Sequence, residues 1–173
     1  PNDKKLETKN FNFLLISRIL IDKGIREYIE AAKIILRNNS NINFNLIGKL
    51  DLENPSKISK SDFDKLIKSG PINYLGYFND VKTFINESDC VVLPSYREGL
   101  PNVLLEAAAL SKPIIATDVA GCRDIVEDGI NGYLCIPKNS NDLADKMIKL
   151  ANHSKDKLIQ MGQISKAKIE KEF

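Results

Sequence analysis

The chain has 173 residues, of which 43% are hydrophobic and 28% are charged, and its 25 basic and 23 acidic residues leave a net charge of +2. This length suits one domain with a hydrophobic core, and the near balance of charge gives no reason to expect nucleic acid as a partner. No apolar run approaches the roughly 20 residues that span a bilayer, and three widely spaced cysteines indicate buried thiols in a cytoplasmic protein rather than a disulfide framework or a zinc site.

Short apolar runs alternate with longer amphipathic segments along the chain. The runs predict six β-strands, at residues 13–16, 43–47, 72–75, 90–93, 114–117 and 132–135. The segments predict helices at residues 24–37, 62–68, 80–86, 102–110, 121–127, 141–151 and 155–172, with a loop at 49–61. Because the strands are apolar almost throughout, we predict an α/β fold, a Rossmann-like open parallel sheet of about six strands with helices on both faces. Ligands bind such sheets beyond the carboxyl ends of the strands, so we examined the loops that follow strands.

The loop after the first predicted strand carries two cations. Arg18 and Lys23 both lie between this strand and the first helix, and two positive charges near a helix N-terminus form a natural site for a diphosphate. Taken alone, the two residues are explained more simply as solvated surface charges, because the chain holds 25 basic residues.

The loop after the fourth predicted strand is the most informative. Gly99 allows the backbone to approach a ligand closely, and the helix that opens at Pro101 directs free N–H groups across the loop. Glu98 precedes this helix and Glu106 lies about one turn inside it, and a carboxylate can accept hydrogen bonds from the vicinal hydroxyls of a sugar or ribose. The alternatives are a favourable charge at a helix N-terminus for Glu98 and a solvated helix face for Glu106. The apolar neighbours of Glu106 favour a partly enclosed carboxylate.

The loop after the fifth predicted strand contains Gly121 at the start of a short helix. Its first N–H groups are suited to contact a phosphate, although a plain N-cap turn at Asp118 explains the same residues about as well. The sequence has no G-x-G-x-x-G after the first strand and no G-x-x-x-x-G-K-[ST], which argues against a nicotinamide dehydrogenase and a P-loop NTPase. His153, the single histidine, is predicted to lie at the surface between the last two helices.

In this order, the motifs resemble the C-terminal domain of the retaining GT-B-fold glycosyltransferases of family four, from about residue 11 to residue 173. Arg18 and Lys23 look like the family's pair that grips the donor diphosphate, and Glu98 and Glu106 have its E-x7-E spacing. The other matching segments are the strand that ends at Gly48, Leu75-Gly76-Tyr77, the turn and short helix at 118–126, and residues 129–134.

The resemblance implies a role for each matched residue. Arg18, Lys23 and Glu98 would form the catalytic group, with the two cations on the diphosphate and Glu98 near the transferred sugar. Glu106 would bind the ribose, and the remaining donor-binding residues would be Gly48, Tyr77, Gly99, Leu100, Pro101, Asn102 and Gly121. The implied reaction transfers a hexose or N-acetylhexosamine from a nucleoside diphosphate sugar to a hydroxyl, with retention and without a metal or cofactor. UDP is the expected nucleotide on family frequency, and GDP is the main alternative.

Two departures from the family bear on the acceptor. Gly99-Leu100-Pro101-Asn102 stands where many members have Gly-Phe-Gly, and this variant resembles bacterial surface-polysaccharide transferases, which favours a lipid-linked or cell-envelope glycan acceptor. The family's N-terminal domain, which supplies the acceptor site, has no counterpart here. We therefore expect residues 1–173 to be a single nucleotide-sugar-binding domain, cut from a longer two-domain enzyme, that binds donor but is inactive alone. Such an enzyme is expected in the cytoplasm, with peripheral association at the inner face of the membrane left open.

Two other functions fit the same motifs. One is a nucleotide-sugar-binding module without transferase activity. The other is a different GT-B enzyme, such as a sugar-nucleotide epimerase or a phosphorylase, although neither Lys49 nor Lys112 lies in a recognisable pyridoxal-binding context.

Overall fold

The computed structural model of the chain describes residues 10–38 and 41–173. Within these ranges the strands form one six-stranded sheet in the order β3-β2-β1-β4-β5-β6, and every neighbouring pair is parallel. The strands are β1 (Phe11–Ile16), β2 (Ile42–Ile47), β3 (Ile72–Gly76), β4 (Cys90–Leu93), β5 (Ile114–Thr117) and β6 (Gly132–Cys135). The predicted α/β fold with an open parallel sheet is confirmed.

The helices follow the predicted order with small changes at their ends. They are α1 (Ile25–Leu36), α2 (Lys60–Ser69), α3 (Lys82–Glu87), α4 (Asn102–Ala109), α5 (Ala120–Arg123), α6 (Ser140–Ala151) and α7 (Lys155–Glu172), with a 3₁₀ turn at Ile21–Lys23. Serine and asparagine side chains at the N-caps of α2, α6 and α7 accept hydrogen bonds from backbone N–H groups of the first turn, which fixes where these helices begin.

The helix predicted at residues 121–127 is shorter than expected, because α5 ends at Arg123. The buried side chain of Asn131 donates to the carbonyl of Ile125 at 2.9 Å and accepts from the backbone N–H of Glu127 at 2.7 Å. The Asn131 side chain therefore forms hydrogen bonds with these two backbone groups, and the chain turns toward β6 instead of continuing the helix.

The two faces of the sheet are covered by different helices. On one face, α1, α2 and α6 pack over Phe13, Leu15 and Phe44, and on the other face α3 and α4 pack over Leu14 and Val91. Helix α7 reaches both cores, through Met161 on the first and Ile169 on the second. Burial of apolar side chains on both faces is what makes the strands between them almost continuously apolar.

Strand β3 departs from the expectation that each strand is buried on both faces. It lies at the edge of the sheet, and after Ile72 its residues are largely exposed, with Tyr74 at 38% and Leu75 at 40%. The three cysteines are free and buried, as predicted. No helix in the described part of the chain is long and apolar enough to cross a membrane.

Candidate functional site

The sequence-predicted site residues follow strands that lie next to each other in the sheet. From the centre of the sheet, β1, β2 and β3 follow one another toward one edge, and β4, β5 and β6 follow one another toward the other edge. The direction in which strands are added therefore reverses between β1 and β4. The loops after these two strands carry Lys23 and Glu98, respectively. Open α/β sheets bind ligands in the crevice at this reversal point, because the two loops diverge there.

Lys23 and Glu98 are in direct contact. Lys23 Nζ lies 2.6 Å from Glu98 Oε1, and the side chains are only 19% and 11% exposed. Such a charge-assisted bond between largely buried groups is stronger than a surface ion pair. Two residues that separate motifs indicated therefore lie in direct contact, and the glutamate orients the lysine.

The loop that carries Glu98 is docked onto the start of α1. Gly24 has a left-handed φ of 72°, and a Cβ there would lie 2.1 Å from the carbonyl oxygen of Pro94, so only glycine allows this approach. Tyr96 donates its N–H to the carbonyl of Asp22 at 2.8 Å and its hydroxyl to Glu27 at 2.7 Å. Burial and the hydrogen bond to the Glu27 carboxylate raise the pKa of Tyr96 well above its ordinary value, so the phenol remains a donor.

The same loop is supported from its other side by the junction between β5 and α5. A Cβ on Gly121 would lie 1.7 Å from the carbonyl oxygen of Gly99, so the two backbones are in contact. Thr117, at the end of β5, donates its buried hydroxyl to the carbonyl of Ser95. Gly121 is thus buried against the Glu98 loop. Thr117 was not predicted from the sequence to have this role, although a threonine that ends an otherwise apolar strand was a usable signal.

Arg18 lies apart from the Lys23–Glu98 pair. Its side chain is 59% exposed and forms an ion pair with Asp51 at 2.9 Å. Arg18 and the exposed Tyr77 line an open pocket of 600 Å³ between the loops after β1, β2 and β3. This pair of predicted site residues is therefore brought to one pocket, with a cation and an aromatic ring available to a ligand.

Glu106 is exposed, which corrects the expectation that it is partly enclosed. Leu104, Ala107 and Ala108 take the buried face of α4, and the helical spacing directs Glu106 away from them. It lines a second pocket, of 730 Å³, together with Ile16. Within residues 10–38 and 41–173 its carboxylate has no hydrogen-bond or ion-pair partner, so it is free to accept from a ligand.

Ile16 at the end of β1 lines the second pocket, and Arg18, two residues further along the chain, lines the first. Gly48 packs between the ends of neighbouring strands. Its N–H donates to the carbonyl of Gly76 at 2.8 Å, and a Cβ there would lie 1.9 Å from the carbonyl oxygen of Ser17. Its contacts are therefore with the protein backbone of neighbouring strands.

The start of α4 is open to a ligand. Gly99, Leu100 and Asn102 are exposed, and a Cβ on Gly99 would have no atom within 4 Å. Pro101 is buried at the N-cap of α4 and so sets the direction of the helix. In the first turn, the N–H group of Leu104 donates to the carbonyl of Pro101 at 3.0 Å, whereas those of Asn102 and Val103 have no partner within the helix.

The site contains neither an activated thiol nor, among the described residues, a cluster that could bind a metal ion. Burial, followed by the charge of Glu98, raises the pKa of Cys122 to about 12, so this thiol stays protonated behind the site. Among the described residues, no group of three or more histidine, cysteine, aspartate or glutamate side chains could hold a metal ion.

The sequence profile of the glycosyl transferases group 1 matches residues 1–168. The chain belongs to this family. The group 1 assignment agrees with the resemblance drawn from the Arg-Lys pair and the E-x7-E spacing, and the fold agrees with that of a solved glycosyltransferase.

Three relatives illustrate the similarity. The N,N'-diacetylbacillosaminyl-diphospho-undecaprenol alpha-1,3-N-acetylgalactosaminyltransferase of Campylobacter jejuni is 35% identical over 161 residues, covering 90% of this chain and 41% of the relative. The capsular polysaccharide biosynthesis glycosyltransferase CapM of Staphylococcus aureus is 35% identical over 158 residues, covering 87% and 41%. A TarM variant of S. aureus, crystallised with fondaparinux, alpha-GlcNAc-glycerol and UDP, has a TM-score of 0.83 at 25% identity, covering 100% of this chain and 34% of that one.

These relatives support the bacterial polysaccharide type of group 1 transferase. The chain spans about two fifths of the length of these curated relatives.

Proposed function

We propose that this chain is the donor-binding domain of a retaining glycosyltransferase that transfers a hexose or N-acetylhexosamine from a UDP-sugar to a hydroxyl of a cell-envelope glycan. The observation that carries the proposal is the Lys23–Glu98 contact at the reversal point of the sheet; Arg18 and Glu106, the latter without a partner among the described residues, each line a pocket. Support for UDP comes from the TarM complex, and support for a glycan acceptor comes from the names of the Campylobacter and Staphylococcus relatives.

In the proposed reaction, the difficult step is departure of an anionic diphosphate. When the donor binds, Lys23 pairs with a phosphate oxygen instead of Glu98, and Arg18 pairs with the diphosphate instead of Asp51. The diphosphate is preferred because it carries more negative charge than one carboxylate. The cations then stabilise the charge that develops as the bond to the sugar breaks, and this role requires no metal. Glu98, released from Lys23, accepts hydrogen bonds from the sugar hydroxyls, and Glu106 accepts them from the ribose.

The acceptor is proposed to bind outside residues 1–173, in the part that longer relatives possess. A transferase cleft forms when two such halves close over the donor and exclude water. We therefore expect the chain alone to bind UDP but to release sugar at a negligible rate. For a lipid-linked acceptor, we propose that the full-length enzyme works in the cytoplasm, peripherally at the inner face of the membrane.

The first test is a thermal-shift titration of the chain with UDP, GDP and ADP. UDP at about 100 times its dissociation constant should stabilise the folded chain by about 2.7 kcal/mol. Glu106→Ala should lose most of this stabilisation, because the carboxylate is free in the structure and its removal breaks no internal contact. Glu30→Ala, which removes an exposed carboxylate on α1, is the matched control and should keep it.

Three outcomes would count against the proposal. A UDP effect of equal size in Glu106→Ala and wild type would place the nucleotide elsewhere. Stabilisation by GDP but not by UDP would show that the donor is a GDP-sugar instead of a UDP-sugar. Conversion of a UDP-sugar to an isomer by the full-length protein, without a new glycoside, would favour an epimerase.

A further inference from the structure

A third pocket on the sheet is lined by residues other than those of the two pockets described above. It has a volume of 520 Å³ and is formed between β1–β3 and helix α3. Leu14 forms its floor, and Leu75 and Phe84 provide apolar walls. None of the residues that line it also lines the pockets of Arg18 and Glu106, although Leu14 lies only two residues before Ile16, which lines the Glu106 pocket, on the same face of β1.

Asparagines occupy this face of three adjacent strands, where a covered parallel sheet is normally apolar. Asn12 lies opposite Asn43 on β2, and Asn45 lies opposite Asn73 on β3. The amides are linked across the strands, from Asn43 Nδ2 to Asn12 Oδ1 at 2.9 Å and from Asn73 Nδ2 to Asn45 Oδ1 at 3.2 Å. The row of amides is therefore held in place by its own hydrogen bonds.

Two polar groups of the pocket remain available to a ligand. In the part of the chain that the structure describes, Asn45 Nδ2 has no acceptor and the Glu87 carboxylate has no hydrogen-bond or ion-pair partner. An amide nitrogen supplies two donors, and a carboxylate supplies acceptors for two hydroxyl groups. The pocket thus offers donors and acceptors beside the apolar surfaces of Leu75 and Phe84.

We propose that this pocket binds one sugar residue of an uncharged glycan, at a site separate from the donor site. None of the side chains that line the pocket is a lysine or arginine, and Glu87 repels anions, which disfavours phosphates and nucleotides. A sugar presents hydroxyl pairs to amide and carboxylate groups, and its C–H face packs on an apolar wall. The volume lies within the range of about 300–1,000 Å³ that small-ligand sites occupy.

The test is an NMR titration of the ¹⁵N-labelled chain with methyl glycosides of glucose, galactose, N-acetylglucosamine and N-acetylgalactosamine, with glycerol as the control polyol. At least one glycoside should shift the Asn45 side-chain amide resonance saturably, with a dissociation constant of about 1–10 mM. Saturating UDP should leave this binding unchanged, because the donor residues lie elsewhere. The titration with UDP also tests the two proposals independently, because glycoside binding in this pocket and UDP binding at the donor site can each be absent without the other.

Matched variants sharpen the result. Asn45→Ala, read from the backbone amides of the residues that line the pocket, and Glu87→Ala, read from the Asn45 side-chain amide, should each weaken binding at least about tenfold. The exposed Asn152→Ala and Glu30→Ala should not change it. The dispersion of the backbone spectrum verifies that each variant is folded. The proposal is overturned if no glycoside gives a saturable shift, if glycerol gives the same shift, or if UDP competes with the glycoside.

Discussion

Gly99 and Gly121 lie in contact, yet only one of them has room for a side chain. A Cβ on Gly121 would overlap the carbonyl of Gly99, whereas a Cβ on Gly99 meets no atom within 4 Å. We predict that Gly121→Ala lowers the free energy of unfolding by about 2 kcal/mol or more, because backbone must move to relieve the overlap. Urea unfolding monitored by circular dichroism measures this difference.

Gly99→Ala is the matched control at the same contact. It should change stability by less than about 0.5 kcal/mol, as for an exposed position without steric conflict. If both substitutions lower the free energy of unfolding by the same amount, the contact between Gly121 and the carbonyl of Gly99 is contradicted. The sequence pointed to both glycines as ligand contacts, and only the three-dimensional arrangement separates a supporting role for Gly121 from an open position for Gly99.

Strand β5 and the loop after β4 are connected by the hydroxyl of Thr117. Thr117→Val keeps the shape of the side chain but leaves the carbonyl of Ser95 without this donor. We expect the free energy of unfolding to fall by about 1–3 kcal/mol, the usual effect of leaving a buried polar group unpaired. Chemical denaturation provides the measurement, and Thr117→Ser, which restores the hydroxyl, should recover most of the loss. Equal stability of the valine and serine variants would contradict this role.

At the level of elements, the sequence predicted every strand and helix of the described chain, because apolar periodicity and capping residues are local signals. It could not place the end of α5, which depends on the side chain of Asn131, ten residues beyond the predicted start of that helix. It also could not anticipate the Lys23–Glu98 contact, since that pairing depends on β1 and β4 being neighbours. Glu106 was misjudged because its apolar neighbours in sequence lie on another face of α4.

At the level of the whole molecule, strand order decides which loops become neighbours at the carboxyl edge of the sheet. The reversal between β1 and β4 brings the first and fourth loops together, while β3, at the edge, carries Tyr77 toward the same rim. The amide-lined pocket lies lower on the sheet, where α3 leaves part of β2 and β3 uncovered. One scaffold thus presents a pair of cations at the strand ends and a pocket of amides with one carboxylate on its face.

The pH dependence of stability is a property of the whole chain to which its single histidine contributes. His153 Nε2 lies 2.7 Å from the hydroxyl of Tyr133, with the two rings stacked. Burial, followed by the charges of Lys157 and Lys149, lowers the pKa of His153 below its ordinary value of 6.5. The unfolded chain therefore binds more protons than the folded chain between the lowered pKa and 6.5, so the contribution to stability is present above pH 6.5 and is lost as pH falls through this window.

We predict that the free energy of unfolding of the wild-type chain decreases between pH 7.5 and pH 5.5 more steeply than that of His153→Gln, which cannot titrate in this range. Urea unfolding at a series of pH values, with the histidine ring followed in parallel by NMR, gives both the slope and the folded-state pKa. The effect should be modest because the ring is only partly buried, and it should shrink as salt screens Lys149 and Lys157. A slope that is identical in the two proteins, or a folded-state pKa above 6.5, would contradict the assignment, because burial and the two lysines would then not disfavour the charged ring.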